Sequence, residues 1–297
     1  MRVSTRTIYQ GNLRRILELS SELNDINKKI SSGKKITSPS DDPIAFTNSM
    51  GLKTAISQIE QYSRNMQTGE SWLEMSESAI SQALDLLSRA QEIATEMANS
   101  TQSAETRMSA ATEVDQLLDE AIALGNSQLG GSYIFAGYQT SAAPFSKTTS
   151  SGIDTASYDG DTNDFQIQIG KDEFLTVGKN GQEVFMDSGI FDILGTLKQA
   201  LEDNDQDAIS QQLDSLGEAE DYLNNQIADV GARANRLERK ESILEDLSSN
   251  LTERLSEVED ADIAEVVIEL EEMELAYQAA LQASTQIMGI SILNYLG

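Results

Sequence analysis

The sequence predicts a mainly α fold: an elongated helical rod of long helices, with coiled-coil helices at the N- and C-termini and a small β-rich insert. Three observations predict it. Only 3 prolines interrupt 297 residues, and aromatic residues make up 5%, a composition of long helices rather than of a compact α/β core. Apolar residues recur at steps of three and four near both ends. Only in residues 129–190 does the period shorten to two, while Gly, Thr, Ser and Asp become common.

Each element follows in order. Ile16, Leu19, Leu23, Ile26 and Ile30 form a stripe on one helix face. The stripe stops at Ser31, Ser32 and Gly33. In the next segment, Ser38-Pro-Ser-Asp-Asp-Pro43, Asp42 is placed to cap a new helix. Pro43 suits its first position, where a missing N–H costs nothing. That helix is expected from Pro43 to about Ala98. Leu52, Ile56, Ile59, Leu73, Ile80, Leu84, Leu87, Ile93 and Met97 supply its buried face. After a turn over 99–105, a third helix to about Gln128 carries Met108, Val114, Leu117, Leu118 and Ile122. Phe165 to Ile169 alternates apolar and polar as a half-buried strand does, and a second strand is expected over Phe174–Val177. Helix returns at Phe191. A long helix from about Asp207 to Val258 would span roughly 78 Å at about 1.5 Å per residue. Asp260 and Asp262 then cap a last helix. Its seam of Ile263, Val266, Leu270, Met273, Tyr277, Ala280, Ser284 and Ile287 has heptad spacing.

Charge is distributed unevenly along the chain. The total is −28, from 49 acids and 21 bases, which disfavours binding to nucleic-acid phosphates and to anionic membrane surfaces. Yet residues 1–40 are basic, with Arg2, Arg6, Arg14, Arg15, Lys28, Lys29, Lys34 and Lys35 against Glu18, Glu22 and Asp25. After Arg254 come only acids: Glu257, Glu259, Asp260, Asp262, Glu265, Glu269, Glu271, Glu272 and Glu274. Oppositely charged ends with matching seams are expected to pair as a two-helix coil. Each stripe is narrow, so the ends are expected to be disordered in the monomer and to fold as neighbouring subunits cover them.

Chemistry is mostly excluded. The chain has no Cys and no His, which removes disulfides, thiol nucleophiles, imidazole ligation and Ser-His-Asp catalysis. Asp159-Gly-Asp-Thr-Asn-Asp164 starts like a calcium loop, but its sixth position is Asp164 and its twelfth Gly170, where Gly and a bidentate Glu are needed. It reads better as a turn leading into a strand. Glu269, Glu271, Glu272 and Glu274 read as a solvated helix face rather than a glycosidase pair. Trp72 reads as core. Arg236, Arg239 and Lys240 are expected to pair with Glu238, Glu241 and Glu245 on their own helix. No catalytic residue, metal site or cofactor is expected. No run of about eighteen apolar residues would span a bilayer, and Met1–Gln10 lacks the apolar core of a cleaved signal.

Several motifs carry a resemblance. Ile30-Ser-Ser-Gly-Lys-Lys-Ile36 and then Pro39-Ser-Asp-Asp-Pro43 follow the first helix. Leu87-Ser-Arg-Ala-Gln-Glu-Ile93 leads to Ala98-Asn99, and Gly131-Ser-Tyr-Ile-Phe-Ala-Gly137 is followed by Thr140 and Pro144-Phe145. Tyr158-Asp-Gly-Asp161, Ile167-Gln-Ile-Gly170, Gly181, Val184-Phe185 and the tail Ser291-Ile-Leu-Asn-Tyr-Leu296 complete the set. In order and spacing these resemble the bacterial flagellin family, and the P-S-D-D-P form is similar to its hook–filament junction branch; filament subunits usually read A-K-D-D-A-A-G. The resemblance implies an inner coiled-coil assembly domain (1–40 and 256–297), a helical rod domain (41–140 and 191–255) and an outer β-rich insert (141–190). It marks Ser32, Gly33, Pro39, Ser40, Asp41, Asp42 and Pro43 as a family signature turn. It implies an extracellular structural protein, exported by the flagellar type III route without signal cleavage. Its partners would be copies of itself in a ring, the first hook-associated protein, flagellin and a cytosolic export chaperone. Flagellins seen by the innate immune receptor read R-V-R-E-L; Gln91 replaces the second Arg in this chain, so that recognition does not carry over.

Overall fold

The computed structural model describes residues 5–150 and 152–296, apart from the side chains of 5, 6, 8, 9 and 287–296. Its helices are α1 (Thr5–Ser32), α2 (Pro43–Met97), α3 (Ala104–Gly125), α4 (Ile190–Glu202), α5 (Gln206–Glu259) and α6 (Ile263–Leu296). Between α3 and α4 lie strands β1 (Gln128–Leu129), β2 (Ser132–Tyr133), β3 (Phe145–Ser150), β4 (Ile153–Tyr158), β5 (Phe165–Gly170) and β6 (Glu173–Gly178), then a π-helical turn at Gln182–Met186. The fold is mainly α, with long helices and a small strand-rich insert. The residues group into two units, one of 1–58 with 246–297, the other of 59–245.

The larger unit owes its core to heptad spacing in two long helices. Along α2, Ile59, Met66, Leu73, Ile80, Leu87 and Ala94 are buried seven residues apart, with Gly69, Ser76, Ala83, Ala90 and Met97 forming a second buried line. Along α5, Ile209, Leu216, Leu223, Val230, Leu237 and Leu244 repeat the same spacing. A period of 3.5 keeps such a line facing one way over many turns. α3 and α4 pack together, buried through Val114, Leu118, Leu194, Leu197 and Leu201. Met108, expected in the buried stripe of α3, is 52% exposed. It lies one residue past Arg107, whose guanidinium occupies the buried direction at that turn.

The strands form three separate antiparallel pairs rather than one sheet. β5 pairs with β6 close to the expected bounds, Ile167 facing Leu175. Its reversal uses Asp172 at φ +59°, a left-handed position that Asp tolerates. The β3–β4 hairpin lacks alternation on β3, which is exposed after Phe145. Sequence periodicity therefore gives no sign of it. What fixes it is full register from Phe145–Tyr158 to Ser150–Ile153, together with packing of β4 on α4. Gly195 allows that contact, since a Cβ there would run into the Asp154 carbonyl. Phe135, Phe145, Phe185 and Phe191 make one aromatic cluster, with centroids 5.0 to 6.0 Å apart. Trp72 is buried and stacks on Phe165 at 4.7 Å.

Ion pairs fasten the strands to the helices. Lys198 of α4 reaches Asp154 at 2.7 Å and Asp115 at 3.0 Å, and Lys147 of β3 reaches Asp115 and Asp119. The expected local pairing of the basic patch on α5 is replaced by a long-range one. Lys240 and Arg236 bond Glu173 of β6, at 2.6 and 3.5 Å. The Glu173 carboxylate stands over the α5 face that carries both cations, a partner that helical spacing alone does not reveal. The Asp159–Asp164 run is spent on structural hydrogen bonds, within its own loop and to Asn180. Asp161 accepts the Asn163 backbone and side-chain N–H groups, and Asp164 accepts Asn180 Nδ2 at 3.0 Å. Among the described residues no cluster of three acidic groups is placed to hold a metal ion, and no helix is long and apolar enough to cross a membrane.

Candidate assembly surface

The candidate site lies in the unit of 1–58 and 246–297. α1 and α6 pack side by side along their lengths. Their direction follows from two anchors. Lys34 bridges Asp260, and five residues earlier Lys29 pairs with Glu269 at 3.9 Å. The numbers run oppositely, so the helices are antiparallel. Ile30 and Val266 lie between those anchors; the same antiparallel count, continued along both helices, brings Ile26 toward Leu270, Leu23 toward Met273, Leu19 toward Tyr277 and Ile16 toward Ala280.

Burial follows that register. Leu19, Ile26 and Val266 are buried; Ile16, Leu23, Ile30, Leu270, Met273 and Tyr277 are half-buried. Ile263 was expected in the seam but is 45% exposed. It opens α6 just past the Ala261–Gly33 backbone bond, where α1 has already ended at Ser32 and no helix lies alongside to cover it. Ile287 lies outside the residues whose side chains are described. Leu13, Leu17, Ile268, Leu275 and Leu281 remain exposed on the two helices. A single pair therefore leaves apolar surface uncovered.

The signature turn connects α1 to α2. Gly33, at φ +69°, closes α1 with its N–H on the Lys29 carbonyl at 2.9 Å, a left-handed stop that glycine makes without strain. Ser32 Oγ accepts the Lys34 N–H. Asp41 Oδ2 accepts the backbone N–H groups of Thr37 and Ser38 at 2.9 and 2.8 Å, and these bonds hold its carboxyl below the usual carboxylate range. Asp42 Oδ1 accepts Ile44 and Ala45 N–H at 2.9 and 3.0 Å, capping α2 with Pro43 at its first position. Pro39 and Ser40 are exposed, and Ser40 N–H bonds Ser38 Oγ. Asp262 caps α6 likewise, on Ala264 and Glu265 N–H.

One further residue of this site is Glu259. It ends α5, is 7% exposed, and receives Lys53 Nζ at 2.6 Å and Lys34 Nζ at 2.9 Å. Burial alone would raise its pKa; the bonds from Lys53 and Lys34 outweigh burial and hold the carboxyl below its ordinary value. Around it the two connectors form a short backbone ladder. Lys35 N–H bonds the Glu259 carbonyl at 2.8 Å, and Ala261 N–H bonds the Gly33 carbonyl at 2.9 Å. Nothing in local spacing marks Glu259, because its partners lie more than 200 residues away.

Comparison with known proteins matches this layout at both ends. The bacterial flagellin N-terminal helical region matches residues 3–140, and the bacterial flagellin C-terminal helical region matches residues 213–296. The chain belongs to the bacterial flagellin family. The two matched regions hold the antiparallel pair, α2, α3 and most of α5; strands β3 to β6 lie between them. Among family members, the chain is 28% identical to flagellar hook-associated protein 3 of Escherichia coli (strain K12), over 98% of each chain. It is 26% identical to flagellin FlaB1 of Treponema pallidum (strain Nichols), over 91% of this chain and 90% of that one. The crystal structure of flagellar hook associated protein-3 from Legionella pneumophila shares the fold, with a TM-score of 0.62 at 18% identity, covering 70% of this chain and 99% of that one.

Proposed function

We propose that this chain is a structural protein of the bacterial flagellum, an adaptor at the hook–filament junction. One observation carries the reading: the two ends of a flagellin-family chain form an antiparallel pair that leaves Leu13, Leu17, Ile268 and Leu275 on its outer faces. Neighbouring copies would cover that surface and close a ring. The ring would meet the first hook-associated protein on one side and flagellin on the other. The similarity to hook-associated protein 3 across 98% of both chains supports the junction role over the filament role, as does the Pro39-Ser-Asp-Asp-Pro43 turn. On this reading the protein has no catalytic step. It leaves the cell uncleaved by the flagellar export route, its C-terminal helix held by a cytosolic chaperone until then. The inner coil, rod and outer insert (1–40 with 256–297, 41–140 with 191–255, and 141–190) would be its radial layers.

Deleting the gene in its host tests this, with filaments scored by microscopy and flagellin measured in the medium. Bare hooks with abundant shed flagellin are expected. Bare hooks with no flagellin-sized protein shed would make the chain the filament subunit itself, the second reading, which the Treponema similarity keeps in view. Normal filaments would overturn both.

A further inference from the structure

One edge of the β3–β4 hairpin is open. The Pro144 carbonyl takes the Asp159 N–H, and the register runs without a break from Phe145–Tyr158 to Ser150–Ile153. Antiparallel pairs alternate between bonded and unbonded. Ser146, Thr148 and Ser150 therefore bond β4, while Phe145, Lys147 and Thr149 turn their N–H and C=O groups outward. Asn126 shows what that edge accepts. Its Nδ2 donates to the Phe145 carbonyl at 2.9 Å, and its Oδ1 accepts the Phe145 N–H at 3.0 Å, the two bonds a neighbouring strand would make. Among the described residues, nothing does the same for Lys147 or Thr149. Residues Ser146 to Ser150 are all exposed, so the edge is open to an incoming chain.

Sheet edges of soluble proteins are commonly guarded by charged side chains, above all Lys. Lys147 is the only charged residue of β3, and its ammonium group is drawn away from the edge onto Asp115 and Asp119 of α3, at 2.8 and 2.7 Å. The same ion network gives the edge a charge preference. Asp115, Asp119 and Asp154 share the two cations Lys147 and Lys198, which leaves one carboxylate in excess, and Asp119 is 59% exposed. Residues directly opposite in a ladder point to the same face. A strand added at the edge would turn the residues opposite Lys147 and Thr149 toward α3, where a cation meets Asp119. The net charge of −28 favours a basic segment further and opposes a second copy. We propose that the outer edge of β3 docks an extended segment of another protein, which adds as a third strand and carries Lys or Arg at alternate positions. The site stands on these contacts alone and does not depend on the flagellar reading.

A labelled peptide of alternating Thr and Lys, titrated with the full chain at near-physiological salt and followed by fluorescence anisotropy, tests it. Saturable binding is expected, with slowed hydrogen exchange at the Lys147 and Thr149 amides. Methylating the backbone nitrogens of the peptide's Lys residues keeps every charge but removes the donors that pair with β3, and should weaken binding about tenfold or more. Thr149→Pro deletes one outward N–H and spares the bonds to β4; it should weaken binding about five- to tenfold. Thr149→Val loses only the hydroxyl bond to Asp154 and should bind as the parent does. Equal affinity for the methylated peptide would mean charge attraction alone and overturns the proposal. Parent-like binding by Thr149→Pro overturns it too, as does no binding. Should Thr149→Pro lose its helical signal, exchange at Lys147 and Thr149 in the parent decides, and no slowing there overturns the proposal. Slowing that grows with protein concentration and needs no peptide would make a second copy the occupant, which also overturns it.

Discussion

Arg107 is 5% exposed and belongs to none of the motifs. Its Nε donates to the Met97 carbonyl, one guanidinium nitrogen to the Asn99 carbonyl and the other to Asn204 Oδ1, the last at 2.6 Å. Asn204 sits at φ +57° in the α4–α5 turn, so one side chain ties two helix turns together. Replacing it by Met removes three charge-assisted bonds and leaves their acceptors unpaired, a loss of about 3 kcal/mol that urea unfolding would read as a lower midpoint. Glu259 gives the residue scale its pH dependence. Its folded pKa is depressed, so its stabilisation is fully present above the unfolded glutamate value of about 4.3 and is lost as pH falls through the lower folded value.

Among the elements, α1 and α6 stand closest to what periodicity implies, because a coil is specified by spacing and charge along each strand. Leu270→Asp places a charge in the seam and should block the ring assembly proposed above while residues 59–245 keep their helical signal. Normal assembly and a normal filament from that variant would refute the inner-coil role. The β3–β4 hairpin is the opposite case, held by what lies beneath it. A Cβ at Gly195 would collide with the Asp154 carbonyl. Gly195→Ala should thus push β4 off α4 and cost about 1–3 kcal/mol, as overpacking does. The single tryptophan, Trp72, gives a local readout of β5. Phe165→Ala opens its stacked face, and a red-shifted emission at unchanged helical content is the expected result.

For the whole molecule the governing quantity is the net charge of −28. Copies repel one another at long range, and screening at about 10 Å in 0.1 M salt weakens that repulsion. Self-association by sedimentation should increase between low and moderate salt. A decrease would mean that the contact between copies pairs the basic face of α1 with the acidic face of α6. By itself the sequence determined the long helices, their caps at Asp42 and Asp262, the stop at Gly33 and the antagonism of charge between the ends. Each of these is written in local spacing or in the composition of a single segment. Tertiary structure alone decided that Glu259 meets Lys34 and Lys53, that Glu173 rather than a helical neighbour takes Lys240, that Ile263 is left exposed where α1 has already ended, and that β3 is a strand at all. Each of those depends on a partner far along the chain, and neither spacing nor residue type records which distant groups folding brings within reach.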